Sequence, residues 1–207
     1  MNAGIAAFRA GNPPHIMQVF EVGTATMMSA KGAVKPVQDL MKEAGEAFDP
    51  KTYLPAITGY YSTSKGEMLS FPFNSSTPVF YINKDAFKKA GLDPEKAPRT
   101  WSEFAVVAGK LKASGQQCVY TTGWPSWVHV ENFSAWHNLP IGTLENGMGG
   151  LDTVFKINSP QHVEHLQMLV DFTKNGWFTY AGRQNQAEAK FFSGECAMLT
   201  SSSSALD

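Results

Sequence analysis

The 207-residue sequence carries little charge, and its charges nearly cancel. Only 17% of its residues are charged, and the formal net charge is -1. A chain this close to neutral has no electrostatic attraction for nucleic acid or for an anionic membrane surface, so we expect neither as a partner. No apolar run approaches the roughly 18 residues of a membrane span. The hydrophobic content of 43% predicts a folded globular protein rather than a disordered one.

The sequence also lacks the short motifs of common enzyme classes. Gly-x-Ser-x-Gly, the P-loop and Gly-x-Gly-x-x-Gly are all absent, and no pair of a nucleophile and a base is visible. His162 and His165 have helical i, i+3 spacing, but a zinc site needs a further ligand, so we interpret them as surface histidines. We therefore predict no catalytic residue, no metal ligand and no cofactor, and a protein that binds its ligand without transforming it.

Cysteine is scarce, with Cys118 and Cys196 far apart in the sequence. Both lie near the ends of predicted strands. Two interpretations fit equally well. They form a disulfide in an oxidising compartment, or they are two buried thiols. Without clustered histidines they do not indicate a metal site.

The chain does contain a regular alternation of short apolar strands and amphipathic helices. This alternation, with no repeating period, predicts an α/β fold with a mainly parallel or mixed sheet. The predicted strands cover residues 16–20, 79–82, 117–121, 153–157 and 196–200, and helices are predicted over 3–10, 37–44, 84–90, 160–174 and 186–192 and from Thr24. Thr100 and Glu103 form a capping box that opens a further helix. Val37, Leu40, Met41 and Ala44 predict one buried helix face.

Polar and aromatic residues follow several predicted strands. Ligands of open α/β sheets bind at the carboxyl ends of strands, so these positions are candidates for a site. The candidates are Glu21, Ser75 and Ser76, Trp124 and Trp127, and Ser201 and Ser202. Each has an alternative role: a charge at a helix start for Glu21, core packing for the tryptophans, and a plain helix cap or tail for the serines.

The segment from Leu69 to Asn83 is the centre of this pattern. Pro72 interrupts its first apolar run, so it is not an ordinary central strand. A polar turn with three hydroxyls follows, and a strand then resumes at Val79. The segment fits a crossing between two lobes, and it also fits a β-bulge or a hairpin edge.

Several blocks together resemble one protein family. Gln18–Met28 reads Gln-Val-Phe-Glu-Val-Gly-Thr-Ala-Thr-Met-Met, 72–79 reads Pro-Phe-Asn-Ser-Ser-Thr-Pro-Val, and 83–94 reads Asn-Lys-Asp-Ala-Phe-Lys-Lys-Ala-Gly-Leu-Asp-Pro. Residues 4–9, 131–136 and 194–198 add to the likeness. The sequence is similar to the periplasmic glycerol-3-phosphate receptors of ABC importers. These receptors are members of extracellular solute-binding protein family 1.

The resemblance implies a periplasmic-binding-protein-like type II fold, with two α/β lobes closing on a ligand and the chain truncated at both ends. It implies that residues 1–76 are part of the first lobe, that 77–83 are a crossing segment and that 84–195 form most of the second lobe. Residues 196–207 would form the return crossing and the start of a truncated first-lobe segment. It places Glu21 at glycerol hydroxyls, Ser76 and Ser202 at ligand oxygens, and Trp124 and Trp127 along the cleft.

The resemblance also implies a ligand and partners. The expected ligand is glycerol-3-phosphate or a glycerophosphodiester, and the expected partners are the permease subunits of an ABC importer. We expect a monomer in the periplasm, although no signal peptide is visible in this sequence. The alternatives are a receptor for neutral oligosaccharides and, with less support, a phosphodiester hydrolase.

Overall fold

The computed structural model describes residues 2–20, 23–30, 32–63 and 65–206. The chain divides into two compact units, and each is described by itself. The first unit comprises Met1–Ser75 and Leu144–Val154, and the second comprises Ser76–Thr143 and Phe155–Asp207. The lobe boundaries expected from the resemblance remain a prediction.

The regular structure of the first unit consists mainly of short helices, and an isolated antiparallel bridge joins Ser62 and Met68. Its helices are α1 (Asn2–Arg9), α2 (Thr24–Ser29), α3 (Val37–Ala44) and α4 (Pro55–Tyr60), and a 3-10 turn covers Pro50–Thr52. Helix α3 ends as predicted at Gly45, whose left-handed φ of 71° lets its N–H donate to the Lys42 carbonyl. The buried face of α3 is smaller than predicted. Val37 is buried, but Leu40 is 47% exposed.

Two predictions in this unit are wrong. Residues 16–20 form no strand, and Ile16 and Phe20 are exposed. A strand needs a neighbour for its backbone hydrogen bonds, and within the part of the chain that the structure describes no strand lies beside this segment. Thr24 is not the cap of α2. Gly23 takes that position, and Thr24 is the first residue of the helix.

The second unit contains the sheet and the longer helices. Its elements are β1 (Pro78–Ile82), α5 (Lys84–Lys89), α6 (Trp101–Ala113), β2 (Cys118–Thr122), a π-helical turn (Trp127–Glu131), α7 (Asn132–Trp136), α9 (Pro160–Lys174), α10 (Gln186–Phe192), β3 (Cys196–Ser202) and a 3-10 turn (Ser203–Leu206). The short segment α8 (Thr143–Asn146) lies between α7 and α9 in the sequence, and all of it except Thr143 belongs to the first unit. The strand predicted over 153–157 is wrong, since Phe155 makes only an isolated bridge to Gly142.

The described strands form a three-stranded mixed sheet in the order β1-β3-β2. Strand β3 pairs antiparallel with β1 and parallel with β2. The α/β class with a mixed sheet is therefore confirmed. Cys118 and Cys196 lie opposite each other in the parallel pair and form a disulfide with their Cα atoms 4.4 Å apart. This pairing decides between the two interpretations of the cysteines.

Helices α5, α6 and α9 pack on the sheet around one core. That core consists of Phe87, Phe104, Ala108, Leu111, Val119, Tyr120, Phe172, Ala197 and Met198. Each large apolar side chain buried here contributes roughly 1.5–3 kcal/mol of transfer free energy, so the core makes the sheet a stable platform for the loops at its edges. Within the described ranges, no helix is long and apolar enough to cross a membrane.

Side chains cap three of the helices in this unit, and one of these caps is the predicted capping box of α6. The Glu103 N–H donates to Thr100 Oγ1 at 3.1 Å, and Glu103 Oε2 accepts from the Arg99 N–H at 2.7 Å. The Asn83 side chain caps α5 and the Ser159 side chain caps α9. The capping box differs from the usual one in a single respect: the glutamate reaches back to the residue before the cap.

Candidate ligand-binding site

Three chain segments meet at one edge of the sheet, which we call the C-terminal edge. In the parallel pair, Thr122 of β2 lies opposite Thr200 of β3. In the antiparallel pair, Pro78 at the start of β1 lies opposite Ser202 at the end of β3. The residues that follow β2, end β3 and precede β1 therefore belong to the same edge. This register brings together the segments that carry Ser76, Trp124 and Ser202.

Ser202 lies at this edge and is nearly buried. Its Oγ accepts a hydrogen bond from the Ser204 N–H at 3.1 Å and lies 2.7 Å from Ser204 Oγ. A hydroxyl that already accepts from a backbone N–H still has its own proton to donate. Ser202 can therefore donate to a hydroxyl or to a ligand oxygen. Its carbonyl accepts from the Tyr81 hydroxyl at 2.7 Å, which holds the end of β3 in place.

Ser201, a candidate from the same serine run, has a different environment. It is fully buried, and its Oγ donates to Glu188 Oε1 of α10 at 2.7 Å. Its hydroxyl proton is therefore engaged by a carboxylate, and a nearby negative charge disfavours an anionic ligand there. Of the two neighbouring serines, Ser202 is the one suited to bind a ligand oxygen.

Trp124 follows β2 in a turn with an unusual backbone. Its φ is 47°, in the left-handed region that residues other than glycine rarely adopt. The turn begins at Gly123, where an added Cβ would lie 2.6 Å from Ser201 Oγ. The Trp124 indole is 36% exposed, and its Nε1–H donates to Asn185 Oδ1 at 2.6 Å. The indole is thus anchored by its polar edge and remains partly exposed.

Trp127 begins the π-helical turn and is half-buried. The turn is defined by the hydrogen bond from the Asn132 N–H to the Trp127 carbonyl. An extra residue per turn of this kind is frequent at functional sites. No pattern in the sequence indicated this wider turn.

Two predicted site residues remain, Ser76 and Glu21. Ser76 is exposed and lies just before β1, at the C-terminal edge. The backbone of its neighbour Thr77 accepts from the Ser203 N–H at 2.9 Å. Glu21 lies outside the described residues, so its predicted role stays a prediction.

A buried histidine network that the sequence interpretation missed contacts strand β2 through Tyr120. His162 and His165 are 2% and 6% exposed, so their interpretation as surface histidines is wrong. His162 Nε2 lies 2.8 Å from Ser134 Oγ, which donates its own proton to the Val130 carbonyl. Nε2 of His162 must therefore carry a proton and donate it. A pattern in the sequence could have revealed this burial, because His162, His165, Leu169 and Phe172 follow the 3-4-3 spacing of a buried helix face.

A cavity of about 240 Å³ opens beside this network. Trp101, His129, Phe133, Trp136 and His165 contribute to its lining. None of the predicted site residues lines it. Among the residues that the structure describes, no three His, Cys, Asp or Glu side chains are placed to hold a metal ion.

Comparison with known families decides the family of the chain. The model of the bacterial extracellular solute-binding protein family matches residues 1–207. The chain belongs to this family. Among its curated relatives is the sn-glycerol-3-phosphate-binding periplasmic protein UgpB of Escherichia coli strain K12. It is 56% identical over 207 residues, which are 100% of this chain and 47% of that protein. The UgpB protein of Pectobacterium atrosepticum is 55% identical over 205 residues, which are 99% of this chain and 46% of that protein.

The fold of this family member is also found in solved structures at low sequence identity. One is a solute-binding protein of an ABC transporter from Thermotoga lettingae bound with α-D-tagatose, with a TM-score of 0.73, 18% identity, and coverage of 99% of this chain and 52% of that one. Another is the sugar-binding protein MalE from Xanthomonas citri, with a TM-score of 0.71, 17% identity, and coverage of 96% and 48%. The predicted type II periplasmic-binding-protein fold is thus confirmed. The chain spans about half the length of the curated relatives it matches.

Proposed function

We propose that the complete gene product carrying this sequence is the periplasmic receptor of an ABC importer and binds sn-glycerol-3-phosphate or a glycerophosphodiester. One observation carries the proposal. The 56% identity to the E. coli glycerol-3-phosphate-binding protein extends over all 207 residues, and not only over the blocks shared by many sugar receptors. The disulfide of the second unit also favours an oxidising compartment such as the periplasm.

The chemistry of the predicted site residues suits such a ligand. The carboxylate of Glu21 would accept hydrogen bonds from the two glycerol hydroxyls. The hydroxyls of Ser76 and Ser202 would donate to ligand oxygens, with Ser202 on the phosphate side. Trp124 and Trp127 would form an aromatic wall against the C–H surface of the ligand. The position of Ser202 and Trp124 at the same edge of the sheet supports this assignment.

The proposed partners are the permease subunits of the importer, and the proposed state in the periplasm is a monomer. The protein is proposed to act as a receptor and not as an enzyme. In this role the ligand is released unchanged, so the site needs hydrogen-bond donors and acceptors but no nucleophile or general base.

Titration calorimetry on the complete gene product tests the proposal. We expect binding of sn-glycerol-3-phosphate, weaker binding in Glu21→Ala and Ser202→Ala, and no competition by maltose. Each lost hydrogen bond to a charged ligand should lower the affinity about tenfold or more. Ser102→Ala, an exposed serine on α6, is the matched control and should bind normally. Unchanged affinity in both site variants would refute the site assignment, and maltose binding would favour the oligosaccharide alternative.

The hydrolase alternative has its own test. Glycerophosphocholine incubated with the protein should be recovered intact, with and without a chelator. Release of glycerol-3-phosphate that stops when a chelator is added would contradict the receptor assignment and favour metal-dependent hydrolysis.

A further inference from the structure

We infer that Asn185 is a positioning residue of the proposed site and that it acts through Trp124. This inference rests on the proposed function. Asn185 precedes α10 and is far from Trp124 in the sequence, yet its Oδ1 lies 2.6 Å from Trp124 Nε1. An indole has a single hydrogen-bond donor, the Nε1–H group. With that donor engaged by Asn185, Trp124 presents its ring face, and not its N–H, to a ligand.

The backbone around Trp124 makes this anchor necessary. Trp124 has a φ of 47°, and the neighbouring Gly123 leaves no side chain to support the turn. The backbone is held at both ends, because the Gly123 N–H donates to the Thr200 carbonyl and the Val128 N–H donates to the Trp124 carbonyl. Neither bond constrains the indole. We therefore assign the direction of the ring to the hydrogen bond between its Nε1–H and Asn185 Oδ1.

The segment that carries Asn185 is itself held in place. Gln186 Oε1 accepts from the Gln184 N–H at 2.9 Å, and the Glu188 N–H donates to the Asn185 carbonyl at 3.0 Å. Glu188 also accepts from Ser201 Oγ of β3, which ties α10 to the central strand. The Asn185 side chain makes no capping bond to α10, so replacing it should leave the helix start intact.

The test is a double-mutant cycle on the complete gene product with sn-glycerol-3-phosphate as the titrated ligand. Asn185→Ala should weaken binding about three- to tenfold in the unaltered background. In the Trp124→Phe background the same change should cost less than about twofold, because Phe has no donor for Asn185 to hold. Asn175→Ala, an exposed asparagine at the end of α9, is the control and should not alter affinity. Equal losses in both backgrounds would overturn the inference.

A ligand-free measurement separates this inference from the proposed function. The Trp124 indole N–H resonance can be identified by its loss in Trp124→Phe. It should shift in Asn185→Ala, but it should stay near its original position in Asn185→Asp, which keeps an acceptor oxygen, and in Asn175→Ala. An unmoved resonance in Asn185→Ala overturns the anchor itself. A shifted resonance in a protein that does not bind glycerol-3-phosphate overturns the proposed function, and with it the role of Asn185 in binding, but leaves the contact established.

Discussion

The Nδ1 atom of His129 lies 3.2 Å from the Nε2 atom of His165, with both imidazoles buried in the second unit. The His129 Nε2 atom lies 3.0 Å from the Tyr120 hydroxyl, which is 2.7 Å from Thr200 Oγ1. The Thr200 hydroxyl donates to Thr122, whose own proton goes to backbone carbonyls. The proton of Thr122 therefore fixes the direction of each hydrogen bond in the series. Tyr120 donates to Thr200, and His129 donates to Tyr120 from Nε2, so Nδ1 of the neutral His129 ring is an acceptor. The Nε2–H of His165 donates to His129 Nδ1, so the pair has no place for a second proton between the two rings.

Stability should therefore fall in acid. Burial and the neighbouring His165 lower the pKa of His129 from 6.5 to about 3, and burial, His137 and His162 lower the pKa of His165 to about 4. The unfolded chain binds protons below pH 6.5 that the folded rings do not bind, so their contribution to stability is complete above that pH and decreases as pH falls. His165 alone should account for about 3 kcal/mol by pH 4.

Chemical denaturation between pH 7 and pH 4, followed by tryptophan fluorescence, measures this loss. His165→Gln keeps a polar group near the position of Nε2 but does not titrate, so the pH dependence should flatten. His15→Gln is the control, because His15 is exposed in the first unit. A slope that is the same in His165→Gln as in the unaltered protein would show that His165 is not its source.

The disulfide should stabilise the second unit. Cys118 and Cys196 are 78 residues apart and join paired positions of β2 and β3. Cross-linking a loop of this length restricts the unfolded chain, which typically contributes about 2–4 kcal/mol. Denaturation of the oxidised and reduced forms of the same protein measures the difference without any substitution. Because both cysteines are buried, thiol alkylation should require unfolding first. Equal midpoints for the two forms would contradict this expectation.

Gly123 should not tolerate a side chain. A Cβ there would lie 2.6 Å from Ser201 Oγ and 3.4 Å from the Gln184 carbonyl. Ser201 is fully buried and bonded to Glu188, so Gly123→Ala should cost about 1–3 kcal/mol in unfolding free energy.

The Gly123 experiment has a rescue and a control. Adding Ser201→Ala removes the crowded oxygen, so Gly123→Ala should cost less in that background. Gly109→Ala in α6 should instead stabilise by roughly 0.5–1 kcal/mol, since an added Cβ there meets only Trp177 at an ordinary 3.9 Å. If Gly123→Ala were as harmless as Gly109→Ala, the close contact with Ser201 would be refuted.

The capping box at α6 should contribute about 1 kcal/mol to the free energy of unfolding. Thr100→Ala leaves the Glu103 N–H without its side-chain acceptor, and typical losses at such positions are about 1 kcal/mol. Thermal or chemical unfolding of Thr100→Ala and Ser102→Ala, its exposed neighbour in the first turn, compares the two positions. A loss of similar size in both variants would show that the cap is not responsible.

Some of the site was visible in the sequence, and some was not. Trp124 and Ser202 could be assigned to strand ends because apolar runs and turn residues mark those ends locally. The Asn185 partner of Trp124 could not be identified, because the contact joins distant segments and no pattern pairs an asparagine with a tryptophan. The strand expected at residues 16–20 failed for a related reason. An apolar run of that length indicates a strand only if another strand lies beside it.

The sequence by itself determined the family, the alternation of helices and strands, and the helix starts at Asn83, Thr100 and Ser159. These depend on residue types and short spacings, which act between neighbours along the chain. Only the tertiary structure decided that the cysteines pair, that His162 and His165 are buried, and that Ser201 bonds with Glu188 while Ser202 bonds with Ser204. Those outcomes depend on which elements pack together, and long-range packing determines burial and hydrogen-bond partners that local pattern leaves open.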